Sequence, residues 1–249
     1  MTSHGAALNL LSLTIMTKKE KVAGILGGMG PEATVDLMQR IIRLTPALDD
    51  IDHVRCIIDN NPKVPSRIKA IIEGDGEDPG PCMADMARRL ESWGADFLAI
   101  PCNTAHYYYE TVANAVNIPV INLIDLVVSH VKAVNPDCVK VGVLASTAVL
   151  MTGLYEKRFQ KVGIGVVYPT SEFQERLFQV IKAIKTGNTS MEVIKEYNKI
   201  CEHLNLAGIE VVIIACTELS VISCDLPFKG IDAAEVLAQK IVTVSKNII

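Results

Sequence analysis

One pattern occurs twice in this chain, and its repetition constrains the fold more than any other feature. The first copy is Gly94-Ala95-Asp96-Phe97-Leu98-Ala99-Ile100-Pro101-Cys102-Asn103-Thr104, and the second is Gly208-Ile209-Glu210-Val211-Val212-Ile213-Ile214-Ala215-Cys216-Thr217-Glu218. They align without a gap at an offset of 114 residues, since 216 minus 102 equals 208 minus 94. Each copy reads as a helix end, a Gly, an acidic residue, an apolar strand and then a Cys. Short continuous apolar runs are what strands buried on both faces of a parallel sheet require. Open α/β sheets bind ligands beyond the carboxyl ends of their strands. Two thiols therefore occupy equivalent ligand-side positions in two similar halves. If the halves face each other, the thiols face each other across a cleft.

The chain has 249 residues, enough for one large domain or two of roughly 100–125 residues. Apolar residues make up 49%, so a sizeable core is available. The net charge of −4 and the lack of a long basic run give no electrostatic reason to expect nucleic acid or an anionic membrane surface as partner. No apolar stretch reaches the ~20 residues of a membrane helix. Seven cysteines, at 56, 82, 102, 138, 201, 216 and 224, form no Cys-x-x-Cys pair. An odd count without that spacing argues against a disulfide framework, a zinc site or a thioredoxin-like motif, and for a reducing, cytoplasmic setting. Cys56, Cys82, Cys138, Cys201 and Cys224 read as small buried hydrophobes.

Residues 1–21 differ from the rest. Leu8 to Ile15 is apolar but has no basic region before it, so it makes a poor signal peptide, and Met16 looks like a second start. The segment is read as a flexible extension. Lys21 to Leu26 is the first expected strand. Gly27-Gly28-Met29-Gly30-Pro31 follows, with a helix through about Leu44 and Pro31 in its first turn. The glycines lack the Gly-Lys-Ser/Thr or full Gly-x-Gly-x-x-Gly of a nucleotide loop. A second strand spans His53 to Ile58, and a Pro/Asn-rich loop then leads through Arg67 into a short helix near Ile68 to Ile72. Further helices are expected at Cys82–Trp93, Ala105–Ala115, Leu123–Val134, Ser146–Phe159, Ser171–Lys185, Met191–Leu206 and Asp232–Lys246, with Asp232 as a cap. Strands are expected at Phe97–Ile100, Val120–Ile121 and Val139–Ala145, and in the second repeat. Gly24-Ile25-Leu26 and Gly142-Val143-Leu144 lie 118 residues apart (142 minus 24), so the duplication extends beyond the cysteine motif. Alternating strands and helices give an α/β fold of two pseudosymmetric three-layer domains with mainly parallel sheets. The expected domains are 22–121 with 230–249, and 122–229.

A thiol between a strand and a helix start is expected to feel the helix amino end, which favours thiolate. Asn103, Thr104 and Thr217 are expected to donate to the sulfurs. His106 lies one helical turn after Cys102, but no third group completes a Cys-His hydrolase arrangement. Two symmetric thiols suit a different reaction, in which a base on one face of a carbon removes a proton and an acid on the other face supplies one. The carbanion-like transition state needs donors and cations nearby. Arg67, Lys185, Asn103, Thr104, Ser146 and Thr217 are the available set. The guanidinium of Arg67 matches a carboxylate.

Gly27-Gly28-Met29-Gly30-Pro31, Asn61-Pro62-x-x-Pro65-x-Arg67, Pro101-Cys102-Asn103-Thr104-Ala105-His106 and Cys216-Thr217-Glu218 together resemble the aspartate racemase branch of the aspartate/glutamate racemase superfamily. The resemblance runs from about Val22 to Val244. It implies a cofactor-independent, metal-free amino-acid racemase, commonly a homodimer, with a small-molecule substrate such as aspartate. It makes Cys102 and Cys216 the two acid/base thiols. It places Arg67 and Lys185 on the substrate carboxylates, with Asn103, Thr104, Ser146 and Thr217 around the α-carboxylate and amine and Met29 also in the binding set. Ser66 stands where the family often has Asp, Ser146 where Thr is common, and Ala215 where Gly is common. Glutamate or broad-specificity racemisation, maleate isomerisation, arylmalonate decarboxylation and non-catalytic aspartate binding are the alternatives within this resemblance.

Overall fold

The computed structural model describes residues 19–222 and 226–248. Most of the expected extension, residues 1–18, and Cys224 lie outside the described residues. The first half contains β1 (Ala23–Gly27), α1 (Pro31–Leu44), β2 (Cys56–Asn60), α2 (Pro79–Ser92), β3 (Phe97–Ala99), α3 (Tyr109–Ala113) and α4 (Leu123–Val134). The second contains β4 (Lys140–Ala145), α5 (Thr147–Thr152), α6 (Leu154–Gln160), β5 (Gly165–Val167), α7 (Ser171–Lys185), α8 (Met191–Leu206), β6 (Val211–Ala215), β7 (Lys229–Asp232) and α9 (Ala233–Ser245). Among the described residues, no helix is long and apolar enough to cross a membrane.

Among the described residues all strand pairs are parallel, and the two sheets repeat one order. The first is β2-β1-β3, extended by a parallel bridge from Leu98 to Val120; the second is β5-β4-β6-β7. Equivalent glycines show why the halves share this register. A Cβ on Gly24 would come within 2.6 Å of Leu98 Cδ2 and 2.8 Å of the Ala95 Cβ. A Cβ on Gly142 would come within 2.9 Å of Ile209 Cγ2 and 3.0 Å of Val212 Cγ2. Ala95 and Ile209, and likewise Leu98 and Val212, are the same positions of the repeat. The central strand of each sheet thus gives up a side chain to make room for its neighbour's.

The helices that follow each sheet lie against the opposite half. α4 packs on α6 and α9, whereas α9 packs on α1. Both begin alike. Asn122 Oδ1 accepts the backbone N–H of Ile124 at 3.0 Å and of Asp125 at 3.1 Å, and Asp232 Oδ1 accepts that of Ala234 at 2.9 Å. These side chains satisfy N–H groups that a helix start leaves without partners. Three residues after each cap an acid pairs across the halves. Arg158 Nε meets Asp125 at 2.7 Å, and Arg40 Nη1 meets Glu235 at 2.9 Å, with Asp36 and Asp232 completing the Arg40 cluster. Beneath these pairs one apolar core joins β1 and β3 to β4 and β6 through Leu37, Ile41, Val127, Val131, Leu237 and Ile241. Each such buried side chain contributes roughly 1.5–3 kcal/mol.

Several local expectations are corrected. The helix after β4 is not continuous to Phe159, because Gly153 adopts φ 60° and divides it into α5 and α6. The segment after Cys102 is a 3-10 turn, Thr104–Tyr108, followed by only five α-helical residues. The expected helix near Ile68 is a π-type turn, Lys69–Glu73. Of the cysteines read as buried, Cys201 is so, but Cys56, Cys82 and Cys138 are only half-buried.

Gly28 ties the first loop to the second. Its φ is +88°, and a Cβ there would sit 2.2 Å from the Asn61 backbone carbon. Gly28→Ala combines a strained backbone with a clash against main chain. It is expected to lower the unfolding free energy by about 2–4 kcal/mol, read as a reduced urea midpoint at unchanged m-value.

Candidate active site

The strand ends of both sheets converge on a cleft of about 270 Å³. That is at or below the small end of ligand cavities, roughly 300–1,000 Å³, and suits a small metabolite. Met29, Arg67, Cys102, Asn103, Thr104, Ser146, Lys185, Cys216 and Thr217 all line it, so the structure brings every sequence-selected site residue together. Glu218, Pro62, Val64, Ser66, Ile68 and Ala215 complete the wall.

The first half supplies three loops. Gly28 N–H donates to Thr34 Oγ1 at 2.9 Å, which folds the glycine loop onto the start of α1 and buries Met29. In the loop after β2, Asn61 Oδ1 accepts the Lys63 N–H at 3.0 Å. Arg67 Nη1 then donates to the carbonyls of Val64 at 3.3 Å and Pro65 at 3.0 Å. The loop holds one edge of the guanidinium, and the other N–H groups of the fork are not used by these bonds. Cys102 follows β3 and is half-buried.

His106 is a support for Cys102, not its base. The Leu123 N–H donates to His106 Nε2 at 2.9 Å, so the ring proton resides on Nδ1, which lies 2.8 Å from the Cys102 carbonyl oxygen. Burial pushes the imidazole down to about 4, although the hydrogen bonds to Cys102 and Ile121 and the charge of Asp125 act the other way. The neutral ring links the backbone at Cys102 to the start of α4.

The second half contributes side chains that reach across. Ser146 Oγ and Thr104 Oγ1 are 3.0 Å apart. Tyr155 Oη, fully buried in α6, donates to Asn103 Oδ1 at 2.6 Å. That bond fixes the amide, leaving its NH2 as the donor end for the cleft. Burial, followed by the charge of Asp232, raises the Tyr155 pKa, so the phenol keeps its proton.

Cys216 sits in a distinct electrostatic setting. Its Sγ donates to Glu218 Oε2 at 3.0 Å, and Lys185 Nζ lies 3.3 Å from Glu218 Oε1. Burial and the neighbouring Glu218 carboxylate push the Cys216 thiol well up, against the opposing charge of Lys185. Burial disfavours the Lys185 ammonium, but Glu218 and the two cysteines more than offset this and raise its pKa. The resting arrangement is a neutral thiol, a carboxylate and an ammonium.

For Cys216 the expected helix-dipole activation is therefore corrected. Cys216 is followed by a three-residue 3-10 turn, Leu219–Val221, which has no appreciable macrodipole. Of the expected donors to sulfur, Thr217 Oγ1 bonds Glu218 Oε2 at 3.5 Å and Thr104 Oγ1 pairs with Ser146 Oγ, while Asn103 is held through its carbonyl oxygen and keeps its NH2 toward the cleft. Lys185 meets Glu218 and does not merely offset the end of its own helix. Glu218 is the site group that sequence reasoning missed. Its signal was its place inside the repeated motif, an acid two residues beyond a Cys.

A model of the Asp/Glu/hydantoin racemase family matches residues 26–241. The chain belongs to this family. A broad-specificity amino-acid racemase of Bacillus subtilis is 28% identical over 228 residues, covering 88% of this chain and 96% of its own length. Among solved structures, an aspartate racemase of Picrophilus torridus superposes with a TM-score of 0.78 at 29% identity, covering 90% of this chain and 94% of that one. An aspartate racemase homologue from Pyrococcus horikoshii gives 0.71 at 27% identity, covering 90% and 99%. The glutamate racemase isoform RacE1 of Bacillus anthracis gives 0.66 at 20% identity, covering 92% and 82%, a likeness of fold.

Two outcomes test these supports. The folded chain binds the His106 proton more weakly than the unfolded chain does. The stability tied to the neutral ring is therefore full above pH 6.5 and lost as pH falls toward about 4. Urea midpoints should fall over that window by the equivalent of about 3 kcal/mol in the parent, and by clearly less in His106→Gln. Tyr155→Phe leaves Asn103 Oδ1 without its donor. It should cost about 1–3 kcal/mol in thermal unfolding and raise KM for the amino-acid substrate several-fold.

Proposed function

We propose that this racemase inverts amino acids at Cα by a two-thiol mechanism without pyridoxal phosphate, with aspartate as its first substrate. The observation that carries the reading is the placement of Cys102 and Cys216 at equivalent strand ends of two opposed sheets, lining one cleft with Arg67 and Lys185. In the direction that starts from the resting arrangement, Cys102 acts as the thiolate base and takes the Cα proton. The electron pair left on Cα delocalises into the α-carboxylate, which Arg67 and the Asn103, Thr104, Ser146 and Thr217 donors stabilise. Cys216, already a thiol, delivers its proton to the opposite face and becomes thiolate. The enzyme then holds the reversed pair, ready for the reverse direction or for reset by exchange with water.

Two cations for two carboxylates and the 29% identical aspartate racemase of Picrophilus torridus support aspartate. A wider range is favoured by the relative from Bacillus subtilis and by Glu218, which engages Lys185. Proton NMR of L-aspartate in D2O with chiral chromatography tests the reaction. Loss of the Cα–H signal with appearance of D-aspartate supports it, and absence of both with fully reduced protein counts against it. Cys102→Ser and Cys216→Ser should each lower turnover by at least about a thousand-fold, the effect of losing a group on which a chemical step depends. Near-normal turnover in either variant would sink the two-thiol scheme.

The pH profile of kcat/KM should be bell-shaped, because one thiol must be ionised and the other protonated. Among the described residues, Glu218, Lys185 and Cys102 are the charged or titratable groups facing Cys216. Since their net effect with burial is upward, the alkaline limb assigned to Cys216 should lie above the ordinary thiol value of about 8.5. A limb at or below that value would contradict the assignment.

A further inference from the structure

Glu218 is an anion in a site that must receive anions. Its two oxygens are both engaged, Oε2 by the Cys216 thiol at 3.0 Å and Oε1 with Lys185 at 3.3 Å. Arg67, Lys185 and Glu218 are the charged side chains that line the cleft beside the two cysteines. Glu218 thus engages the cation that a substrate's second carboxylate would need.

The pair also stands at a boundary. A second cavity of about 370 Å³ adjoins the cleft and shares Arg67, Lys185, Thr217 and Glu218 with it. Its far side is Gly30, Pro31, Glu32 and Ala33 at the start of α1, so a second carboxylate lies beyond the pair. A substrate side chain directed past Lys185 and Glu218 therefore has room beyond them. The two partners differ in freedom: the Lys185 side chain is 44% exposed and the Glu218 side chain 13%. Lysine carries its charge on a flexible four-carbon stem, so Lys185 is the partner able to swing while Glu218 stays in the wall.

We propose that Glu218 is a specificity-determining residue that stands in for a substrate's second carboxylate. With an amino acid of neutral side chain, Glu218 keeps Lys185 paired, so no uncompensated ammonium faces the side chain. With aspartate, Lys185 turns to the substrate carboxylate in competition with Glu218. One cleft thereby accepts both classes, and the same carboxylate penalises the dicarboxylate. A competing like charge is a recognised means of setting specificity, as is the cost of leaving a desolvated charge without a partner. The inference rests on the racemase reading above and deepens it by naming a residue that sets the substrate range.

Aspartate and asparagine differ at the side chain by one charge at nearly equal size, which makes them the test pair. Deuterium exchange at Cα gives kcat/KM for each with the parent enzyme and with Glu218→Gln. The parent should exchange both substrates. In Glu218→Gln the aspartate-to-asparagine ratio should rise about five- to ten-fold, the scale of one partly solvated charge interaction. Loss of the hydrogen bond to Cys216 acts on both substrates alike and cancels in the ratio. Should Glu218→Gln fold poorly by circular dichroism, Glu218→Ala removes the same charge and should move the ratio the same way. A ratio unchanged within two-fold, or shifted toward asparagine, overturns the proposal while leaving racemisation intact. A parent enzyme that exchanges aspartate but not asparagine does so too. A parent that exchanges neither overturns the racemase reading and the proposal with it.

Discussion

The opposition of the two sheets depends on an exchange of helices. The first sheet sends α4 to the second half, and the second sends α9 to the first. Each exchanged helix is fixed at its start by a side-chain cap and by an acid paired with an arginine across the halves. The core beneath them is continuous, so separating the halves would expose apolar surface from both. Burial supplies the free energy, and the caps and ion pairs select the geometry. The cleft inherits that geometry, since its walls are the loops at the ends of strands whose positions the exchanged helices hold. Cross-half bonds then refine it: Tyr155 to Asn103, and Ser146 with Thr104.

Duplication makes the protein symmetric at the level of backbone and asymmetric at the level of charge. Cys102 has a neutral, buried imidazole behind its carbonyl, whereas Cys216 has a carboxylate on its sulfur. Thr104 and Glu218 occupy the same position of the repeat, so the carboxylate beside Cys216 has a hydroxyl as its counterpart beside Cys102. A pair of thiols in matched settings would share no preference for which one holds the proton. Here burial, together with Glu218, holds it on Cys216.

Much of this was legible in the sequence. The helices 31–44, 123–134, 171–185 and 191–206 have the bounds that their apolar periodicity and stop residues indicate. The repeat identified both thiols and, through its strand ends, the side of the sheet on which they lie. Less legible were β5 and β7, three and four residues long, whose Gly165, Lys229 and Gly230 hide them among turn-like composition. The short turn after Cys102 reads as a helix because apolar and aromatic residues continue there; Gly153 likewise interrupts a run that periodicity alone extends. The role of Glu218 depends on Lys185, thirty-three residues earlier (218 minus 185), at the end of another helix. No local pattern encodes that meeting. His106 shows the same limit: its spacing from Cys102 was visible, but its tautomer is decided by the Leu123 N–H.

The central claim is that each face of Cα has its own thiol. The most direct measurement is early-time racemisation of L-aspartate in D2O, with the deuterium content of each enantiomer followed separately by chiral separation and mass spectrometry. Two opposed thiols predict that D-aspartate forms with deuterium at Cα from the outset, while the remaining L-aspartate keeps its protium. Deuterium entering the remaining L-aspartate as fast as D-aspartate forms, or protium carried into D-aspartate, would mean that one group serves both faces and would contradict the account.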